Sequence, residues 1–92
     1  MGTVYYDNDG FRRYMDGGID VILHGWCMVT NAIFRSNRWM IGKMFPYYID
    51  DDQCMHLIHM IGSECGNATM SSHQVRIVEG IPDDSMIPCR YV

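Results

Sequence analysis

The sequence predicts an α+β fold: a single small domain over residues 1–92, with about two helices packed on a mostly antiparallel sheet, in the order ββ-α-β-α-ββ. Three observations lead to it. A chain of 92 residues holds one hydrophobic core and no second lobe, since domains run to about 50–200 residues. Its apolar residues favour β-branched and aromatic types: ten isoleucines and eleven aromatics stand against two leucines and two alanines, a mixture that suits sheets better than a helical bundle. Two stretches nevertheless carry the three-to-four-residue apolar rhythm of an amphipathic helix.

The elements follow in order. Thr3 to Tyr6 and Phe11 to Met15 form a hairpin around Asp7-Asn8-Asp9-Gly10, whose residues supply local hydrogen bonds and tolerate positive φ. The same run opens like a calcium loop, but Phe11 and Arg12 stand where an EF-hand needs a ligand and a glycine. After Asp16-Gly17-Gly18, the polar residues Asp20, His24, Asn31 and Arg35 recur at steps of four, seven and four. That is one narrow stripe on a helix from Ile19 to about Arg35, apolar over the rest of its surface and therefore central. Gly25 and the β-branched residues oppose a helix, and two strands over DVILHGWCMV and AIFR are the competing assignment.

Arg38 to Met44 reads as a short strand, and Pro46-Tyr47-Tyr48-Ile49 as an extended aromatic segment. Residues 50–66, DDDQCMHLIHMIGSECG, read as the second helix. Cys54, Leu57, Ile58, Ile61 and Cys65 share one face, with Gln53, His56, His59 and Ser63 opposite. Asp50 or Asp51 would cap its first turn and Gly66 would end it. Gln74 to Val78 reads as a strand, residues 81–85 as a turn, and Met86 to Tyr91 as a final strand that Pro88 confines to a sheet edge.

The net charge is −4, with a single lysine, Lys43, beside six arginines. The acids gather at Asp7/Asp9, Asp50 to Asp52 and Asp83/Asp84, and no basic stripe is left for a phosphate backbone, so direct binding of nucleic acid is not expected. No basic region followed by an apolar run opens the chain, and no stretch approaches the roughly 20 apolar residues that cross a bilayer. A cytoplasmic protein without membrane contact is the expectation, in the host cytoplasm if the chain is viral. Cys27, Cys54, Cys65 and Cys89 are widely spaced, which in a reducing compartment makes them buried thiols rather than a disulfide framework.

Three kinds of site can be drawn from these residues. His24 and Cys27, and His56 and His59, are each spaced by three and could together offer four zinc ligands if two helices converged. Asp52 and His56, four apart, could make a carboxylate-oriented imidazole for hydrolase-like acid–base chemistry, although no GxSxG elbow or phosphate loop accompanies them. The third is recognition by surface. Asp50, Asp51, Asp52, His56 and His59 with Tyr47 and Tyr48 would form an acidic, aromatic docking face, beside Tyr5, Tyr6 and Trp39.

A small acidic domain without a catalytic signature fits a non-enzymatic, cofactor-free inhibitor or adaptor that docks on a basic, nucleic-acid-handling protein. In size and charge it is like small viral proteins that block host defence nucleases. The edge strand with Pro88 and the outer face of the second helix would also serve self-association into a homodimer.

Overall fold

β-Branched and aromatic side chains favour extended backbone, and strands dominate the chain. A computed structural model describes residues 2–62 and 64–80. Its strands are β1 (Thr3–Tyr6), β2 (Arg12–Asp16), β3 (Ile19–Ile22), β4 (Gly25–Val29), β5 (Met44–Ile49), β6 (Met55–Ile61), β7 (Glu64–Met70) and β8 (Val75–Val78), with a 3₁₀ helix at Arg35–Met40 between β4 and β5. They form two antiparallel sheets, ordered β1-β2-β3 and β7-β6-β5-β4-β8.

The larger sheet is curled. β7 and β8 lie at its opposite ends, about 19 Å apart if the sheet were flat, yet four residues join them. The Gln74 N–H donates to the Ser71 carbonyl at 3.0 Å, closing a turn whose ends lie within about 7 Å. The sheet must therefore bend into a partly open barrel. The Gln74 carbonyl fastens the bend by accepting from the N–H groups of Thr30 at 2.7 Å and Asn31 at 3.3 Å.

Curling gives the sheet an inside and an outside, each with its own core. Cys27, Val29, Phe45, Tyr47, Leu57 and Met70 fill the inside, joined by Met40 from the 3₁₀ helix. Trp26, Tyr48, Ile58 and Cys65 on the outside meet Val4 and Tyr14 of the small sheet and Leu23 of the link that follows it. The Gly2 N–H donates to the Cys65 carbonyl at 2.8 Å and ties the small sheet to the β7 edge.

Pro46 sits within a central strand, where a missing N–H should break the ladder. The β5–β6 register runs from Ile49 opposite Met55 to Tyr47 opposite Leu57 and stops there, one residue short of Pro46. Against β4, Pro46 pairs with Trp26 in register.

The α+β prediction is overturned: the described residues are mostly β, and their one helical element is the short 3₁₀ helix rather than a pair of helices packed on a sheet. Ile19 to Arg35 is β3, a link at Leu23-His24, β4 and a loop into the 3₁₀ helix. The competing pair of strands is nearer, although AIFR forms neither. Residues 50–66 are a turn, β6, and a hairpin into β7. The helical reading failed there because adjacent residues Leu57 and Ile58 are both fully buried, one inside the barrel and one under the small sheet. A strand covered on both faces loses its alternation and imitates a helix.

Arg38 to Met44, read as a strand, is the end of the 3₁₀ helix, a turn and the first residue of β5. The amino-terminal hairpin forms, with Thr3 opposite Met15 and Tyr6 opposite Arg12. β8 falls within the predicted Gln74–Val78 strand and pairs with β4. The turn at 81–85 and the strand at Met86 to Tyr91 with Pro88 lie outside the described residues.

Candidate functional site

The acidic run Asp50-Asp51-Asp52 does not cap a helix; it closes the hairpin between β5 and β6. An aspartate can accept from backbone N–H groups a few residues on and so hold a tight turn. Asp50 does this: its Oδ1 accepts from Asp52 N–H at 2.8 Å and Cys54 N–H at 2.9 Å. Its Oδ2 lies 2.6 Å from His56 Nε2. The bond with His56, and then that from the Cys54 N–H, holds the Asp50 carboxyl below its ordinary range. Asp51 and Asp52 remain exposed on the tip of the turn.

His56 is placed by β6. Its ring stacks on Tyr48 with centroids 4.7 Å apart and 8° between planes. Nδ1 lies 3.3 Å from both Asn67 Oδ1 and Thr69 Oγ1 on β7; with Nε2 donating to Asp50, an unprotonated Nδ1 accepts from the Thr69 hydroxyl, whereas a protonated one donates to the Asn67 amide oxygen. Asn67 continues the chain of contacts, donating to the Tyr14 hydroxyl at 3.5 Å. Tyr14 in turn donates to Asp16 at 2.8 Å, and burial, above all, raises the Tyr14 phenol.

Beside this turn lies the barrel mouth, where the β5–β6 turn, the β7–β8 turn and the loop at Ile33-Phe34 meet around a groove of about 620 Å³. Ile33, Phe34, Ile49, Met55 and Met70 give it an apolar lining. Phe34 is 66% and Ile33 61% exposed, an unusual outlay of large apolar surface unless something covers it. One polar side chain of the lining is held in a fixed orientation. Gln74 is 4% exposed, and its Oε1 accepts from the Ser71 N–H at 3.1 Å and the Ser71 hydroxyl at 3.3 Å. Its Nε2 is buried without a hydrogen-bond partner.

The remaining sequence-predicted residues are dispersed. Tyr47 and Tyr48 are buried on opposite faces of β5, so they do not share an exposed docking face with Asp51 and Asp52. His59 points to the face opposite His56, edge-on to Trp39 at 5.8 Å, and burial lowers its pKa. His24 is exposed beside Tyr47. Cys27 is fully buried inside the barrel, where burial pushes its thiol up to about 12. The four suggested zinc ligands thus do not converge, and no group of three or more His, Cys, Asp or Glu side chains among the described residues could hold a metal ion. Asp52 does not reach His56; its neighbour Asp50 does.

No family model matches the chain, and neither does any curated protein or solved structure. No helix among the described residues is long and apolar enough to cross a membrane. The chemistry of the surface therefore carries the functional reading.

The sequence alone did not point to Ile33, Phe34 or Gln74. The first two stood inside a predicted helix, and a lone glutamine at the start of a predicted strand carries no signal. The spacing of Asp7/Asp9 and Asp50/Asp52 could have been read, since it marks the same turn twice.

Proposed function

We propose that this chain is a small protein-binding module, of the inhibitor or adaptor kind, whose barrel mouth takes a basic, apolar-bearing segment of a nucleic-acid-handling partner. The buried, partnerless Nε2 of Gln74 carries the reading: an oriented donor in an apolar groove suits the backbone carbonyl of a docked chain. Exposed Phe34 and Ile33 supply the apolar contact that gives interfaces their anchors. Asp51 and Asp52 are exposed and directly precede the lining residues Gln53 and Cys54 in the chain, which favours a cationic occupant. The chain's net charge of −4 acts in the same direction, speeding encounter with a basic surface.

The test uses the whole chain and a fluorescent peptide of lysines and arginines around one phenylalanine. Binding should weaken about tenfold or more in Phe34→Ser, the loss of a buried aromatic anchor. Asp51→Asn/Asp52→Asn should slow association at low salt and flatten its salt dependence. The reading fails if both variants bind like the parent. It also fails if the parent is a dimer that Phe34→Ser alone converts to a monomer, because the groove then serves self-association.

A second reading rests on the 2.6 Å contact of Asp50 with His56 and the Thr69 hydroxyl 3.3 Å beyond. A carboxylate, an imidazole and a hydroxyl in a row form the arrangement of a general base serving a nucleophile. It predicts hydrolysis of p-nitrophenyl acetate with a pH profile that disappears in both His56→Gln and Thr69→Val. Equal rates in parent and variants end that reading.

A further inference from the structure

A second cavity, of about 490 Å³, is lined among others by Arg12, His24, Trp26, Tyr47, Ile77 and Glu79, and shares no lining residue with the barrel mouth. Two of its residues hold buried N–H groups without a hydrogen-bond partner: Arg12 at Nη1 and Trp26 at Nε1. Trp26 is 2% exposed, and the Arg12 guanidinium lies over its ring at 5.5 Å, so the stacking holds the charge in place. Folds rarely keep a buried donor unpaired, and two around one cavity mark a place for an acceptor.

We infer that this cavity binds a small organic carboxylate, at a site independent of the barrel mouth. A guanidinium fork with a neighbouring N–H matches the two oxygens of a carboxylate, and the planar arginine is better suited to it than a lysine point charge. His24 stands on the same lining as a further polar contact. Glu79 sets the specificity at the rim: its carboxylate disfavours a second negative charge on the ligand and favours an ammonium. The ligand class is therefore a monocarboxylate whose far end is neutral or cationic, as in a free amino acid. The volume lies within the range of small-molecule sites.

The experiment follows the two indole N–H signals of the ¹⁵N-labelled full chain during titration with β-alanine, propionate and succinate. Trp39 packs against Phe45 and His59, away from this cavity, and serves as the internal control. β-Alanine and propionate should move the Trp26 signal and leave Trp39 still, with succinate weaker. Glu79→Gln should strengthen succinate by about fivefold, a partly solvated charge repulsion removed, with propionate unchanged.

Arg12→Met should abolish the response in a chain whose amide spectrum stays dispersed. If that variant does not fold, the Glu79→Gln comparison decides. Asp83 and Asp84 follow in the chain and are carboxylates too, so the titration is repeated on Asp83→Asn/Asp84→Asn. A response confined to that variant supports the same carboxylate chemistry with the chain itself as its source. Equal movement of both indoles, no movement with any acid in either chain, or a succinate response that Glu79→Gln leaves unchanged overturns the assignment.

Discussion

Gln53 and Gly10 occupy the same place in two turns of one design. In the β1–β2 turn, Asp7 N–H donates to the Phe11 carbonyl at 3.0 Å and Gly10 N–H to the Asp7 carbonyl at 3.1 Å; in the β5–β6 turn, Asp50 and Cys54, and Gln53 and Asp50, repeat this at 2.9 and 3.0 Å. The leading aspartate accepts from two further N–H groups in each. The fourth residue is left-handed in both, at φ 85° for Gly10 and 67° for Gln53. Such three-residue hairpin loops call for glycine there.

A left-handed backbone costs a side-chain-bearing residue about 1–2 kcal/mol, and glycine's extra freedom in the unfolded chain offsets about 0.5–1 kcal/mol of the gain. Gln53→Gly is therefore expected to stabilise the protein by about 0.5–1 kcal/mol, raising Tm by a few degrees. Gly10→Ala should lower it by a similar amount. Thermal unfolding of the two variants checks both signs.

Gly2 is fixed by a different constraint. A Cβ built there would lie 2.4 Å from Cε1 of Tyr14. That ring is fully buried and stacked on Tyr48 at 6.1 Å, with its hydroxyl held by Asp16. It has nowhere to withdraw, so Gly2→Ala should cost about 1–3 kcal/mol, the usual range for overpacking. Denaturant unfolding should show a lower midpoint with an unchanged slope.

What the sequence made legible divides by how each strand is covered. β1 and β2 have one packed face and a turn with strong local chemistry, and their hairpin can be read directly from Thr3 to Met15. β6 is packed on both faces, and its two adjacent core residues hid the period of two. The site was legible in part for the same reason. Asp50 and His56 stood out as chemistry-bearing residues, but their contact depends on the turn pattern, not on helical spacing. Phe34 and Gln74 acquire meaning only when the sheet curls and brings the 33–34 loop to the β7–β8 turn.

The double coverage of β6 is itself open to test. Leu57→Ala and Ile58→Ala each remove a fully buried side chain and should each cost about 2–5 kcal/mol. Their local effects should differ, because Leu57 supports the barrel interior and Ile58 the small sheet. Hydrogen exchange should speed up most in β1 and β2 for Ile58→Ala, and in β4 and β5 for Leu57→Ala. Identical exchange maps would show that the two cores open as one unit.

Stability should fall in two stages as the pH drops. Burial holds the His59 pKa below its usual value of about 6.5, and its Nδ1 has no partner. The unfolded chain therefore takes up a proton that the folded one resists, so stability is full above about pH 6.5 and declines below it. Asp20, hydrogen-bonded by Tyr5 and Arg13, and Asp50, bonded by His56, are both held below the ordinary carboxyl range. Their contributions are complete above about pH 4 and disappear as the pH falls through their lowered values. His59→Gln should abolish the first decline and leave the second, whereas Asp20→Asn should reduce the second and leave the first. Urea unfolding between pH 7 and pH 3 measures both; a decline between about pH 6.5 and pH 5 that survives in His59→Gln would assign it to another group.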